Sequence, residues 1–274
     1  MGAVGDLHAE EPPQALRFRA PPLGQPGVGD PALHLLDRAR LGEPGPQATP
    51  RRRDRGGGES LSAEPIIETF PVGPLQCNCT VIADPVSREA IVIDPGDEPE
   101  RILRALESAK LKPVALLHTH AHLDHITASR AVKESTGAPI RLHPADRPLY
   151  DALPEQAAFF GLRAEAPLPP DAPLADAERI HFGPYTLRAI HTPGHTPGST
   201  CFVLEGNHPI LFAGDTLFRR SIGRTDLWGG DTDAILASIR EKLFVLPGDI
   251  PVVCGHGPGT TIDEEKRLNP FAAV

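Results

Sequence analysis

Four polar motifs, each placed directly after a short apolar run, constrain the fold of this chain more than any other feature. They are THAHLDH at residues 119–125, HTPGHTPGS at 191–199, GDTLF at 214–218 and GHGP at 255–258. Short apolar runs bounded by turn signals are typical of buried β-strands. Polar residues that follow such strands meet at one edge of a sheet, where loops usually carry the chemistry.

Helical patterns lie between the apolar runs. Residues 99–110 carry apolar side chains on one face and charged side chains on the other, which predicts an amphipathic helix. Residues 125–134 and 233–244 are predicted to form further helices. The alternation of strands and helices indicates a layered α/β domain.

The first motif has the composition of a metal site. His120 and His122 are two residues apart, so on an extended backbone both imidazoles point the same way and reach one ion together. Asp124 and His125, on the turn into the next predicted helix, can face a second ion beside the first. Imidazole and carboxylate ligands at this density suit Zn²⁺ or another borderline divalent metal.

The other three motifs each offer one ligand residue. Two glycines and two prolines stiffen the loop around His195, so the backbone presents this imidazole. Asp215 and His256 each follow an apolar run at the end of a predicted strand. Each of these three residues alone is weak evidence for a metal, but together with the first motif they indicate a metal centre.

Glycine and proline divide the chain near residue 60. Residues 1–60 contain 10 glycines and 9 prolines, and their 8 acidic and 8 basic residues cancel in charge. Such a segment buries too little apolar surface to offset chain entropy, so we expect a disordered extension at 1–60 and one folded domain at 61–274. The net charge of −9 therefore comes from the folded domain, which disfavours nucleic-acid binding through phosphates.

The cysteines and the absence of long apolar stretches predict a cytoplasmic protein. No stretch approaches the roughly 18 consecutive apolar residues of a membrane-spanning helix. The four cysteines form no CxxC pair and are few for a disulfide scaffold, so we expect reduced thiols in the core or near the site. The predicted partner is a small molecule, neither a nucleic acid nor a membrane, and the oligomeric state stays open.

The four motifs, in this order and spacing, resemble the metallo-β-lactamase superfamily from about residue 66 onward. The stretches that follow the third and fourth motifs, SIGRTD at 221–226 and NPF at 269–271, are similar to those of small glyoxalase II-like hydrolases. The resemblance implies a four-layer αββα sandwich with metal ions at one edge between the two sheets.

The resemblance also implies two divalent metal ions, Zn²⁺ first and Fe or Mn as alternatives. The implied ligands are His120, His122 and His195 for the first ion, Asp124, His125 and His256 for the second, and Asp215 between them. Two cations lower the pKa of a bridging water enough to give hydroxide near neutral pH. The implied reaction is hydrolysis of a thioester such as an S-acylglutathione, with Asp124 as a catalytic proton acceptor.

Two further residues have a role under the resemblance. Asp94 follows the apolar run 90–93 and is either a buried acid that orients the first histidine loop or a residue that ends the strand in a turn. Arg224 is either a cation that holds a substrate carboxylate or the ion-pair partner of Asp226.

Three other functions remain open. A persulfide dioxygenase-like enzyme would hold one iron on His120, His195 and Asp215, with open positions for oxygen. A lactone or ester hydrolase would use the same two-metal centre on a different substrate. A non-catalytic metal-binding module is also compatible with the fold, although such a module is expected to lack some of the seven ligands.

Overall fold

The computed structural model of the chain describes residues 64–273. The predicted disordered extension at residues 1–60 lies outside the described residues. None of the helices formed by residues 64–273 combines the length and the apolar character that a bilayer crossing requires.

The first half of the described chain forms a mixed six-stranded sheet. Its strands are β1 (Ile66–Val72), β2 (Cys77–Ala83), β3 (Glu89–Ile93), β4 (Lys112–Leu117), β5 (Ile140–Leu142) and β6 (Ala172–Pro173). They are arranged in chain order from β1 to β6. The first three strands are antiparallel neighbours, and the pairs from β3 to β6 are parallel.

The second half forms another six-stranded sheet and a short ribbon. The strands are β7 (Arg179–Phe182), β8 (Tyr185–His191), β9 (Thr200–Leu204), β10 (Ile210–Gly214), β11 (Leu217–Phe218), β12 (Ser221–Ile222), β13 (Pro251–Cys254) and β14 (Thr260–Thr261). The sheet order is β14-β13-β10-β9-β8-β7, and β11 pairs with β12 as a separate ribbon. Only the β10–β13 pairing in this sheet is parallel.

Seven α-helices occur in the described residues. They are α1 (Pro99–Ser108), α2 (Leu123–Ile126), α3 (Ser129–Thr136), α4 (Arg147–Asp151), α5 (Leu153–Phe159), α6 (Thr232–Ala237) and α7 (Ile262–Leu268). A 3₁₀ turn at Pro144–Asp146 precedes α4, and a π-helical turn at Ser238–Leu243 continues α6. Helix α1 begins with proline at its first position, and it buries Ile102 and Leu106, which are four residues apart on one face.

The strands separate their two faces into different layers. On β3, Ile91 and Ile93 lie in the cluster between the two sheets, whereas Ala90 and Val92 pack with α1 and α3. The second sheet contributes Phe182, Leu187, Phe202 and Phe212 to the inner cluster. Its outer face packs against α6, the π-helical turn and α7.

This arrangement of a helical layer, two sheets and a second helical layer confirms the predicted αββα sandwich. Burying a large apolar side chain contributes roughly 1.5–3 kcal/mol. Three buried phenylalanines between the sheets, Phe182, Phe202 and Phe212, therefore contribute strongly to the stability of the inner layer.

One predicted helix is divided in the structure. The sequence pattern predicts a single helix over residues 125–134, but α2 ends at Ile126 and α3 begins at Ser129. The backbone N–H of Ala128 donates to the carbonyl of Pro95 at 3.1 Å, a long-range bond in place of the helical one. A Cβ added at Gly96 would overlap the Asp124 carbonyl, so the 95–96 turn fits against α2 only with glycine there.

Candidate metal centre

The predicted ligand residues lie at the ends of neighbouring strands or in the loops that follow them. His120 and His122 follow β4, His195 follows β8, Asp215 follows β10 and His256 follows β13. Asp124 and His125 lie in α2, directly after the first two histidines. Parallel pairing of β10 with β13 brings their carboxyl ends side by side, which places Asp215 next to His256.

The structure brings all seven predicted ligand residues together. Among the described residues, potential ligand atoms within 4.8 Å of one another form three groups: His120, His122 and His195; His120, His125 and Asp215; and Asp124, His125 and His256. We call the first of these the inner group and the third the outer group. The remaining group overlaps both, because His120 belongs to the inner group and His125 to the outer group.

The side-chain nitrogens face one another at short distances. In the inner group, Nε2 of His120 lies 3.2 Å from Nε2 of His195. In the outer group, Nε2 of His125 lies 3.3 Å from Nε2 of His256. The carboxylate of Asp124 lies 3.1 Å from Nε2 of the same His256.

Asp215 lies between the two groups. Its Oδ1 is 3.5 Å from Nε2 of His125, and its Oδ2 is 3.5 Å from Nε2 of His195 and 3.7 Å from Nε2 of His256. Its buried Oδ1 makes no hydrogen bond. A buried carboxylate oxygen without a donor needs a cation or an unpaired proton donor to offset the loss of solvent.

The hydrogen bonds that Nδ1 makes in His195 and His256 determine which ring nitrogen faces the centre. Nδ1 of His195 donates to the Arg224 carbonyl at 2.8 Å, and Nδ1 of His256 donates to the Leu75 carbonyl at 2.9 Å. A carbonyl oxygen only accepts hydrogen bonds, so both Nδ1 atoms carry the proton. Nε2 is therefore the nitrogen of each ring that faces the centre.

His120 and His125 are oriented by the buried Asp94. The backbone N–H and the hydroxyl of Thr119 both donate to Asp94, at 2.7 Å each, so the hydroxyl oxygen accepts from Nδ1 of His120 at 3.1 Å. Nδ1 of His125 lies 2.9 Å from Oδ2 of Asp94. These two rings therefore also direct Nε2 toward the centre.

This chemistry fits divalent metal ions. Imidazole lone pairs and carboxylates that face one another repel unless a cation lies between them. Burial, together with the neighbouring imidazoles, holds the pKa of His120 and His122 well below its usual range, which favours the neutral, ligating form. Burial by itself would raise the pKa of Asp124, but the neighbouring His125 and His256 hold it below its usual range, so Asp124 is anionic.

Asp94 combines both of the roles that the sequence allows. Its φ of 51° is the left-handed conformation of a turn, so it ends β3. Its carboxylate also contacts Thr119 and His125. This contact is the one expected of an acid that orients the histidine ligands.

Arg224 takes one of its two predicted arrangements. Its guanidinium makes two hydrogen bonds of 2.7 Å to the carboxylate of Asp226. The same residue contributes its backbone carbonyl to His195, a contact that the sequence pattern does not indicate.

Asp146 joins the two loops of the inner group, and sequence reasoning did not identify it. Its buried carboxylate accepts from the N–H of Ala121 at 3.0 Å, the hydroxyl of Thr196 at 2.8 Å and the N–H of Gly198 at 2.6 Å. Burial raises its pKa to about 6, although these three hydrogen bonds oppose the rise. Its position just after β5 is the one signal in the sequence, because the other site residues also follow strands.

The cysteines lie in the core, as predicted. All four are buried and free. Cys77 contacts a ligand residue of the centre, because its Sγ lies 3.5 Å from Nδ1 of His125. Burial raises the pKa of Cys77 to about 12, so it is a neutral thiol and a poor metal ligand.

Comparison with known proteins identifies the family. A family model described as the metallo-β-lactamase superfamily matches residues 72–256, which include all seven ligand residues. The chain belongs to the metallo-β-lactamase superfamily. The fold and the clustered histidines and aspartates described above are therefore those of a superfamily member.

Three relatives within the superfamily differ in the activity or the metal that their names give. The hydroxyacylglutathione hydrolase GloC of Haemophilus influenzae is 42% identical over 75% of this chain and 97% of its own length. The mitochondrial persulfide dioxygenase ETHE1 of Homo sapiens is 33% identical over 79% of this chain and 78% of its own. TTHA1623, solved in a di-iron-bound form, is 41% identical with a TM-score of 0.69, covering 74% of this chain and 99% of that one.

Proposed function

We propose that the protein is a two-metal hydrolase that cleaves a small-molecule thioester of the S-acylglutathione type into a carboxylic acid and a thiol. The observation that carries this proposal is the position of Asp215 between two separate ligand groups. A single ion would engage only one of these groups. The similarity to GloC supports the substrate class.

The ligand residues would hold one ion in each group and share Asp215. The donor set of imidazole and carboxylate suits Zn²⁺, and Fe and Mn are the alternatives. The relative solved in a di-iron-bound form supports Fe among them. Divalent ions, when bound, supply a nucleophile from water near neutral pH and Lewis acidity for the thioester carbonyl.

The protein side chains would orient the reaction and move the proton. Asp124 is partly exposed and is held by His256, so it can reach a proton beside the centre. Water adds its hydroxyl to the acyl carbon, the C–S bond breaks, and the proton passes through Asp124 to the leaving sulfur.

Arg224 is also proposed to contact the substrate, but only when its guanidinium leaves Asp226. Its guanidinium is already paired with Asp226, so binding a substrate carboxylate would require exchange of this partner. Its structural contribution is the carbonyl that orients His195.

The four free, buried thiols support a cytoplasmic location.

A persulfide dioxygenase with one iron is the second candidate, and the similarity to ETHE1 favours it. Its two-histidine, one-carboxylate set would be His120, His195 and Asp215, in which His195 lies 3.2 Å from His120 and 3.5 Å from Asp215. This assignment leaves the outer group, with Asp124 3.1 Å from His256, without a function.

Metal content and turnover separate these functions. The full-length protein is purified, its metals are quantified, and it is assayed with S-lactoylglutathione, a lactone and glutathione persulfide. Two Zn, Mn or Fe per chain with thioester cleavage supports the proposal. One iron with sulfite formation supports the dioxygenase, lactone cleavage alone supports a lactone hydrolase, and metal binding without turnover supports a binding module.

The variant Asp124→Ala tests the proposed proton transfer. We expect a loss of about 10²–10⁴-fold in turnover, the usual contribution of a positioned acid–base group. The exposed Asp151→Asn serves as a control of the same residue type, because Asp151 pairs only with Arg147 on the surface. Unchanged hydrolysis by Asp124→Ala at full metal loading would contradict the mechanism.

A further inference from the structure

A cavity adjoins the metal centre at Asp124. Its volume is about 280 Å³. Its walls come from the turn between β1 and β2, residues 96–97, the α2 segment and the segment around the end of α5. Small-molecule pockets usually measure about 300–1,000 Å³. The cavity is therefore large enough for one arm of a substrate.

The cavity wall is mainly apolar. The apolar side chains that line it include Val72, Leu75, Leu123, Ala157, Leu162 and Ala164. Once Asp124 is assigned to metal binding, Asp97 and Arg163 are the charged residues left on the wall, and their charges cancel. The lining therefore favours an uncharged, apolar occupant.

Two large apolar side chains on this wall are exposed to solvent. Leu75 is 46% exposed and Leu162 is 45% exposed. Phe160, 50% exposed, lies in the same segment as Leu162. Exposed apolar side chains gathered around a concave site mark a surface that a ligand covers.

The cavity and the outer ligand group share structural elements. The carbonyl of Leu75 accepts from Nδ1 of His256 at 2.9 Å, so the loop that lines the cavity also orients a ligand. Asp124 belongs to both the cavity wall and the outer group. An arm seated in the cavity would therefore keep the attached reactive carbonyl beside the metal ligands.

We propose that this cavity binds an unbranched apolar arm of the substrate and makes the enzyme prefer long-chain thioesters to short-chain ones. This inference rests on the proposed hydrolase function. The arm belongs either to the acyl group or to the thiol, and two substrate series distinguish these sources.

The first series varies the acyl group on glutathione from acetyl through butyryl to hexanoyl. The second series keeps the acetyl group and varies the thiol from ethanethiol through butanethiol to hexanethiol. We expect kcat/KM of the full-length, metal-loaded protein to rise about fourfold per methylene in one series, which corresponds to about 0.8 kcal/mol per buried CH₂. A rise in one series identifies the arm, whereas flat profiles in both overturn the inference and leave the hydrolase function intact.

Matched leucine variants assign the effect to this cavity. Leu162→Asp is expected to remove the dependence on chain length. Leu268→Asp is the control, because Leu268 is 50% exposed on α7 and does not line the cavity, so its chain-length dependence should persist. An equal dependence in both variants overturns the inference.

A binding measurement keeps the inference testable if no thioester is cleaved. That result would refute the proposed function, and calorimetry would then compare acetate, butyrate and hexanoate binding to the full-length protein. Affinity that rises with chain length and is lost in Leu162→Asp supports the cavity as the site of an apolar arm. Equal affinities for the three acids overturn it.

Discussion

The inner and outer ligand groups differ in their access to solvent. In the inner group no residue is more than 9% exposed, whereas the outer group combines the buried His125 with Asp124 and His256, whose side chains are 16% and 27% exposed. The inner group is enclosed by two loops that Asp146 joins, and the outer group opens beside the apolar cavity. Imidazole side chains thus occur both in a buried group and in a group that is partly open to solvent.

This difference predicts how each group holds its metal and meets substrate. A buried site loses its ion slowly, because the surrounding loops must open first. Under the proposed function, the accessible site would place its ion and Asp124 next to incoming substrate. The following predictions, from the largest expected effect to the smallest, would break or sharpen this comparison.

His120→Ala should have the largest effect, because His120 contributes to the inner group and also lies with His125 and Asp215. We expect it to lose both metal equivalents. Turnover should fall by more than the roughly 100-fold that follows loss of a residue hydrogen-bonded to a metal ligand. Metal analysis after gel filtration and steady-state kinetics measure both effects. Retention of two equivalents would show that the two groups do not depend on this residue.

His256→Ala should remove one metal equivalent and leave the other. The inner group keeps all of its ligands in this variant, and the partly exposed His256 serves only the outer group. Titration of the wild-type protein with a chelator should accordingly release the ions in two phases, and the variant should show the slower phase alone. A single phase in the wild-type protein would indicate that the two groups lose metal together.

Asp94→Asn and Asp146→Asn should weaken different groups. Asp94 bonds His125 in the outer group directly and reaches His120 of the inner group only through Thr119. Asp146, in contrast, holds the loops of the inner group through Ala121 and Gly198. We expect each substitution to reduce metal affinity by about 10–100-fold. The affected phase of chelator release should be the faster one for Asp94→Asn and the slower one for Asp146→Asn, and reversal of this pattern would contradict the assignment.

The cysteines should show the smallest effect, which is no reaction in the folded protein. Cys77 lies beneath the outer group and Cys201 lies in the second sheet, and burial raises their pKa values to about 12 and about 11. An alkylating thiol reagent at pH 8 should therefore modify none of the four in the native state and all four in denaturant. Selective modification of native Cys77 would show that reagents reach the outer group from the β2 side as well as from the cavity.

Much of the fold and the candidate site was predictable from the sequence. The seven ligand residues follow apolar runs, and strand ends meet at one sheet edge whatever the details of packing. The separation of inner and outer faces on β3 likewise follows from the two-residue period of a strand.

Other features depend on contacts between distant parts of the chain. The break between α2 and α3 uses the Pro95 carbonyl, and Asp146 bonds residues 25, 50 and 52 positions away. No local pattern specifies such partners. The cavity also combines four segments that are separate in sequence.

The sequence by itself determined the layered architecture and the identity of the candidate ligands, because periodicity and strand-end position are local properties. Only the tertiary structure decided that Arg224 pairs with Asp226, and that one group is buried while the other faces a cavity. The physical reason is that burial and hydrogen-bond partners are set when both sheets pack together. Local chain preferences carry no information about the neighbour that a side chain will meet.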